Sequence, residues 1–298
     1  MRKVGYLLIA LLVAAVLTWT LAGAAGRTHA YFAMERQLRR HRQIGLGRSP
    51  IEGLGHMLEP FAPVWEQVEP KVRMQLDPAD LISRVILETG TWEKPSWRVI
   101  EESLQAGGTF VDIGAHIGYY SLKAAAVVGP EGRVIAVEPN PETVAKLRAN
   151  LHASGDDWAS VEPVACSDAE GQLELFGGPS SNTGETSISK TNAERDPTAR
   201  KSFTVRARPL DSILADNQVT RVDWIKIDVE GAEMLVLKGS AATLDRYHPR
   251  LLVEVEDSQL RELGTSAAEV VGFLLQHGYR EGRHEGMNVE FVPESAVQ

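Results

Sequence analysis

The chain holds one cysteine, Cys166, in 298 residues. No disulfide can close within it, and no thiolate metal site can be assembled. Its eight histidines show no HExxH or comparable ligand spacing. A structural metal is therefore not expected, and no metal ligand is assigned. The Gly-x-Gly-x-x-Gly fingerprint of a nicotinamide site is missing too, and there is no internal repeat. Basic charge is scarce where a nucleic-acid-binding body would need it. Residues 49–298 carry 39 acidic and 23 basic side chains, and neutralising phosphates requires the opposite balance. Nucleic acid is not expected as a partner.

Long uncharged runs are missing except at the start. Val4 to Ala25 runs for 22 residues without a charge, long enough as a helix to cross a bilayer core of about 30 Å. Residues 1–48 hold eight Lys/Arg and one acid, Glu35. Ala22-Gly23-Ala24 would suit a cleaved signal peptide, but the run exceeds the usual signal core of about 7–15 residues. The arginines that follow it favour retention on the cytoplasmic side. The expectation is a single-pass membrane protein. Residues 1–26 form its transmembrane anchor, 27–70 a basic juxtamembrane connector, and 71–298 the body on the cytoplasmic side. The proline-interrupted stretch 59–70 is expected to be irregular.

In the body, strand and helix patterns alternate. A helix is predicted over "DPADLISRVILETG", started by Asp77 or Asp80 and stopped by Gly90, and a second over "PSWRVIEESLQAGG", with Pro95 at its start. Strand 109–113 leads to helix 119–128, strand 133–137 to helix 141–153, and strand 160–165 follows. Strand 223–227, helix 232–238, strand 251–255 and helix 267–277 continue the alternation, and a hairpin closes the chain. Such alternation with short connections predicts a doubly wound, mostly parallel α/β sheet.

Ligands of such sheets bind beyond the carboxyl ends of the strands, and four predicted strands end in acids: Asp112, Glu138, Asp228 and Glu254. Acids also cap following helices, which explains one such residue more easily than four. In "FVDIGAHIGYYSL" the glycines Gly114 and Gly118 are spaced Gly-x-x-x-Gly, and Asp112 precedes the first by two. A carboxylate there would repel a pyrophosphate and suits a cationic ligand. Glu138, at the end of the next strand, is placed to accept hydrogen bonds from both ribose hydroxyls. A ligand with a ribose and a cationic part, and no required pyrophosphate, fits S-adenosyl-L-methionine.

"FVDIGAHIGYYSL", "VIAVEPNPETVAKLRANL", "PLDSIL", "DWIKIDVEGAEMLVLKG" and "LLVEVE" together resemble the FkbM-type family of S-adenosylmethionine-dependent methyltransferases, across about residues 74–292. The first motif is generic to class I methyltransferases, and the "KIDVEGAE" block is the specific one. His116 stands where many relatives have Asn. The resemblance implies a seven-stranded Rossmann-like sheet and O-methylation of a hydroxyl, often on a sugar or polyketide-like acceptor; the acceptor expected here is a small molecule, a glycan or a lipid-linked sugar. It implies Asp112, Gly114, Gly118, Glu138 and Asp168 for the cofactor. On the acceptor side it implies Ser187, within the long polar stretch 177–202 read as a lid, and Glu254 joins it there.

Trp224, Lys226 and Asp228 alternate onto one strand face. Two charges there are costly unless used or paired. Lys226 could be salt-bridged to Asp228, Glu254 or Glu256, or Asp228 could anchor the acceptor hydroxyl and take its proton. Glu230 is the second candidate and His116 the third, with a satisfied structural histidine the blander reading of the last. A non-catalytic module on the same fold and a nicotinamide oxidoreductase are the alternative functions. Oligomeric state and acceptor identity are not readable from the sequence.

Overall fold

The structure is a computed structural model that describes residues 23–41, 61–177, 184, 186–189 and 202–294. The chain divides into two compact units, residues 1–92 and 93–298.

In the first unit, helix α1 (Ala24–His41) accompanies the antiparallel hairpin β1 (Val64–Glu69) and β2 (Val72–Leu76), and helix α2 (Leu81–Thr89) follows. Asp80, not Asp77, caps α2, accepting from the Ser83 N–H, and Gly90 closes it in the left-handed conformation. The stretch expected to be irregular therefore holds a strand. Pro63 precedes β1 and Pro70 falls in the turn after it, so neither removes a ladder donor from within the strand.

The expected transmembrane helix, and with it the single-pass membrane location, requires correction. Among the described residues no helix is long and apolar enough to cross a membrane. Residues 4–22 of the expected anchor lie outside the described residues. The helix that overlaps its end, α1, uses its apolar face within its own unit. Tyr31 and Phe32 are buried with ring centroids 5.1 and 5.7 Å from that of Phe61. Thr28 Oγ1 donates to the Ala62 carbonyl at 3.1 Å, and Arg36 donates to Glu66 at 2.7 Å. The residues read as a connector thus include a docked helix.

The second unit carries the doubly wound sheet. Helix α3 (Lys94–Glu101) leads to β3 (Thr109–Ile113), α4 (Tyr119–Val128), β4 (Arg133–Val137), α5 (Pro141–Ser154) and β5 (Ser160–Glu162). Then come β6 (Ala165–Cys166), β7 (Gly171–Phe176), β8 (Ser202–Arg208), α6 (Leu210–Asp216), β9 (Trp224–Ile227), α7 (Glu233–Lys238) and α8 (Ala241–Tyr247). The chain continues with β10 (Arg250–Glu254), α9 (Asp257–Glu262), α10 (Ala267–Gln276), β11 (Tyr279–Glu285) and β12 (Asn288–Pro293). The seven-stranded sheet has the order β11-β12-β10-β9-β3-β4-β5. Strands β10, β9, β3, β4 and β5 are mutually parallel, and the β11–β12 hairpin adds antiparallel on β10. This is the α/β architecture expected.

The strand predicted over 160–165 splits at Pro163. A proline lacks the N–H a ladder needs, and Ala165–Cys166 instead joins β8 and β7 in a separate three-stranded sheet. That small sheet has no counterpart in the sequence reading.

Alternation of side chains gives the main sheet two unlike faces. Val111, Ile113, Ile135, Val137, Ile225, Ile227, Leu251 and Val253 point to one side and form the apolar core with Leu237, Leu260, Leu274 and Phe291. The opposite face carries Asp112 beside Lys226 in register, and Glu254 beside Asn288. Chain order reverses between β3 and β9, so their carboxyl ends form the switch point where such sheets bind ligands.

Gly114, at φ +81°, makes that junction possible: a Cβ there would lie 1.8 Å from the Asp228 carbonyl oxygen. Gly155, at φ +82°, faces open space. We expect Gly155→Ala to lose only the left-handed backbone term, about 1–2 kcal/mol. Gly114→Ala should lose clearly more, because two backbones must separate. Urea unfolding of both variants checks this, and equal losses would mean that the close approach is not needed.

Candidate active site

The first half of the site is the β3–α4 junction. After Ile113 the Gly114 and Ala115 N–H groups both donate to the Val137 carbonyl, at 3.0 and 3.1 Å, which ties this loop to the end of β4. His116 adopts φ +49° and Gly118 φ +95°. Histidine is among the side chains that enter the left-handed region more often than most. The turn aims the His116 N–H at Glu138 Oε2, at 2.9 Å. The Asn140 N–H donates to Oε1 of the same carboxylate at 2.9 Å, while Asn140 Oδ1 caps α5 through the Glu142 N–H. A Cβ at Gly118 would meet Leu147 at 2.6 Å, so the glycine lets α5 sit close under the loop.

Glu138 is buried. Burial pushes its pKa up to about 7, against the pull of the Asn140 and His116 N–H groups. Asp112 is also buried; its Oδ2 accepts from Ser121 Oγ at 2.6 Å, and Oδ1 has no partner among the described residues. Burial raises the Asp112 pKa as well, opposed by Lys226 and the Ser121 hydroxyl. A buried, unpartnered carboxylate oxygen is expensive unless a ligand's donor meets it. The residues therefore fit S-adenosyl-L-methionine: Glu138 offers acceptor capacity for ribose hydroxyls, Asp112 for a cationic group, and the glycines open the backbone between them.

The second half is an acidic floor at the ends of β9 and β10. Lys226 is buried and its Nζ lies 2.8 Å from Asp228 Oδ2 and 4.8 Å from the Tyr120 ring centroid. Burial pulls the Lys226 pKa down, but Asp228, Asp112 and Glu93 together hold it above its ordinary value, which favours the ammonium form. Tyr120 Oη donates to Glu93 Oε2 at 2.9 Å, which completes a cage of acids around one cation.

Glu230, in the left-handed conformation at φ +55°, turns the chain from β9 toward α7. Its Oε2 accepts from Gln259 Nε2 at 2.7 Å, and its carbonyl accepts from Ser187 Oγ at 2.8 Å. Glu233 clamps the turn from inside, accepting from the Val229 and Gly231 N–H groups at 3.0 and 3.2 Å. Burial raises Glu233 to about 7. Glu254 is buried, and its Oε2 has no hydrogen-bond partner among the described residues. Burial first, then Asp228, Glu230 and Glu233, push its pKa up to about 10. One carboxylate oxygen from each of Asp228, Glu230 and Glu254 lies within 4.8 Å of the others.

The structure thus brings together Asp112, Gly114, Gly118, His116 and Glu138 on the cofactor side, and Asp228, Glu230 and Glu254 on the other. Ser187 reaches the same loop through Glu230, although most of the stretch read as a lid lies outside the described residues. His116 enters the cradle through its backbone N–H. Asp168 is different: it lies exposed just beyond β6, with Ser167 as its hydrogen-bond partner, and no hydrogen bond joins it to Glu138 or Asp112 among the described residues. Two contributors escaped the sequence reading. Glu233 was visible in "VEGAE" as an acid in the first turn of a helix, a position that favours capping. Glu93 had no local signal, because only the fold sets it beside Tyr120 and Lys226.

A family model described as a methyltransferase FkbM domain matches residues 112–281, more than half of the chain. Among curated proteins, the chain is 26% identical over 149 residues to the hexuronic acid methyltransferase AglP of Haloferax volcanii, covering 49% of this chain and 56% of AglP. It is 29% identical over 178 residues to the methyltransferase sdnD of Sordaria araneosa, covering 51% and 66%. It also matches AmbE, an antimetabolite synthetase of Pseudomonas aeruginosa, at 28% over 57% of this chain and 9% of AmbE. The chain spans less than two thirds of the length of each of these relatives. Among solved structures, methyltransferase FkbM from Methylobacillus flagellatus superposes with a TM-score of 0.42 at 17% identity, covering 71% of this chain and 52% of that one.

Glu138 generates a pH prediction. Its folded pKa of about 7 lies above the ordinary 4.5. Its contribution to stability is thus complete below the unfolded value and lost as pH rises through about 7. Cofactor binding runs the other way, because ribose hydroxyls need the carboxylate. We expect affinity for S-adenosyl-L-methionine to rise about tenfold from pH 6 to pH 8, as the proton is released. Glu138→Gln should flatten that profile, and Glu138→Ala should cost roughly 1.5–3 kcal/mol of binding. Titration calorimetry at several pH values measures both, and a wild-type affinity independent of pH would remove Glu138 from the ribose site.

Proposed function

The chain belongs to the FkbM family of S-adenosylmethionine-dependent methyltransferases, and on that premise we propose that it methylates a hydroxyl group of a sugar or glycan acceptor. The observation that carries this reading is the carboxylate floor of Asp228, Glu230 and Glu254, set on strands adjacent to the cofactor cradle. Such a floor suits a neutral, polyhydroxylated acceptor, whose hydroxyls donate to carboxylates. It would repel a phosphate. The hexuronic acid named for AglP supports a sugar acceptor; its own carboxylate, an anion, would have to point away from the floor. Family membership removes the nicotinamide alternative.

S-adenosyl-L-methionine, when bound, supplies a methyl group on a sulfonium that is already a good leaving group. The chain's task is to hold the acceptor oxygen against the cradle and to receive its proton. Asp228 suits this role: it is part-exposed at the strand end, while Lys226 fixes one of its oxygens and leaves the other for the acceptor. Glu230 stands next to it, with its carboxylate oriented by Gln259. Glu254 lines the floor beneath them. Ser187 fixes the Glu230 carbonyl and so orients the loop that presents both acids.

Asp228→Asn tests the assignment. We expect kcat to fall by about 10²–10⁴-fold, the usual contribution of a general base, with affinity for the cofactor unchanged. A thermal melt controls for the altered Lys226 contact. The acceptor is first found by mass spectrometry of glycans from cells with and without the protein. Near-normal turnover on that acceptor would reduce Asp228 to the partner of Lys226. A methylated product with nitrogen or carbon as the new bond partner would overturn the hydroxyl reading itself.

A further inference from the structure

From the placement of Asp228, Glu230 and Glu254 we propose that the acidic floor is a binding site for one hard divalent cation of the magnesium, manganese or calcium class. An acidic cluster alone would not establish this, since exposed acids are common without ions. Two further observations point to a ligand. The Glu254 side chain is buried, aims at the other two carboxylates, and its Oε2 has no partner among the described residues. Asn288, directly opposed to Glu254 across the β10–β12 pair, is likewise buried with an unpartnered Oδ1. Directly opposed residues share a face of the sheet. Two buried oxygen acceptors on one face thus lack donors, which native interiors seldom tolerate.

The geometry suits an ion. The three carboxylate oxygens lie within 4.8 Å of one another, about the diameter of an oxygen shell at the 2.3–2.6 Å of calcium, and small side-chain rotations reach the 2.0–2.1 Å of magnesium. The donors are all oxygen, which selects hard cations over zinc or copper. The ligands are also oriented from behind, as metal ligands usually are: Gln259 holds Glu230 and Lys226 holds Asp228. Asp228 and Glu230 are part-exposed and give the ion a way in, with Glu254 beneath.

The proposal gives the proposed methyl transfer a Lewis acid for the acceptor hydroxyl, and it rests on that reading only for its purpose. The bond changes are unaltered: carbon–oxygen forms, carbon–sulfur breaks, and the ion undergoes no redox change.

The test uses Mn²⁺ as the probe on the full-length chain, without cofactor or acceptor. Electron paramagnetic resonance should show one bound Mn²⁺ per chain, displaced by Mg²⁺ or Ca²⁺. Glu254→Gln, which alters a direct ligand, should weaken binding by at least the about 10–100-fold seen for outer-shell changes, whereas Glu131→Gln, an exposed acid remote in sequence, should not. A melt guards against misfolding: Mn²⁺ should raise the unfolding temperature of the wild type by mass action and leave that of a folded Glu254→Gln variant unmoved. Absence of stoichiometric Mn²⁺, or equal binding by wild type and Glu254→Gln, overturns the site. Methyl transfer that persists undiminished in chelator would sink its catalytic purpose while leaving the acceptor assignment intact. Mn²⁺ bound as expected on a protein that methylates no hydroxyl would do the reverse.

Discussion

A single buried ammonium holds the two halves of the site together. Lys226 sits in the middle of β9, in register with Asp112 of β3, bonded to Asp228 and facing the Tyr120 ring. Taking a charge out of water is costly, and only close counter-charges make it tolerable. Here the counter-charges are Asp112 on β3, Asp228 at the end of β9 and Glu93 just before α3. Removing the lysine would strand buried carboxylates, a loss that in comparable cases reaches about 3–5 kcal/mol. The same cation that stabilises the fold therefore lets the Asp112 and Asp228 side chains stand close to one another.

Around that pair the sheet separates its duties by face. Odd-numbered positions of the central strands are Val, Ile and Leu and close the apolar core. Even-numbered positions supply Asp112, Lys226 and Glu254, and the unpartnered oxygens of Asp112, Glu254 and Asn288 belong to this second set. A binding face within a sheet buried on both sides must carry its polar groups in a low-dielectric setting, where both pairing and its absence are magnified. That is why burial raises the pKa of Glu138, Glu233 and Glu254 alike.

The loops that finish the site are held by backbone constraints. Gly114 passes against the Asp228 carbonyl, so the loops after β3 and β9 touch where the sheet changes direction. His116 and Glu230 accept left-handed conformations, each stabilised by a specific partner: the Glu138 carboxylate for the His116 N–H, and Gln259 and Ser187 for Glu230. Non-glycine residues in that region cost about 1–3 kcal/mol and persist where surrounding structure fixes them. Glu93, Gln218 and His248 are also left-handed, so such strain is shared by the site loops and by turns elsewhere.

Much of this was legible in the sequence. The β-α alternation, the glycine pair, the acids at four strand ends and the family resemblance each follow from local pattern, because side-chain period and turn chemistry are local properties. Asp112, Glu138, Asp228 and Glu254 were found that way. Local pattern failed where contact partners are distant in the chain. It took the apolar run 4–25 as a transmembrane helix, although no described helix can cross a membrane, and it could not see that α1 docks on Phe61. It could not choose among three acids for Lys226, nor place Glu93 beside it. It gave no sign that Asp168, expected at the cofactor, would lie past the break at Pro163, just beyond the β6 strand of a separate sheet. Which residues end the strands, and which face they take, can be read in residue order, because side-chain period is local. Which of them meet is a matter of folding, because pairing charges and leaving oxygens unpaired depend on strand order and register, and those are set by the whole sheet.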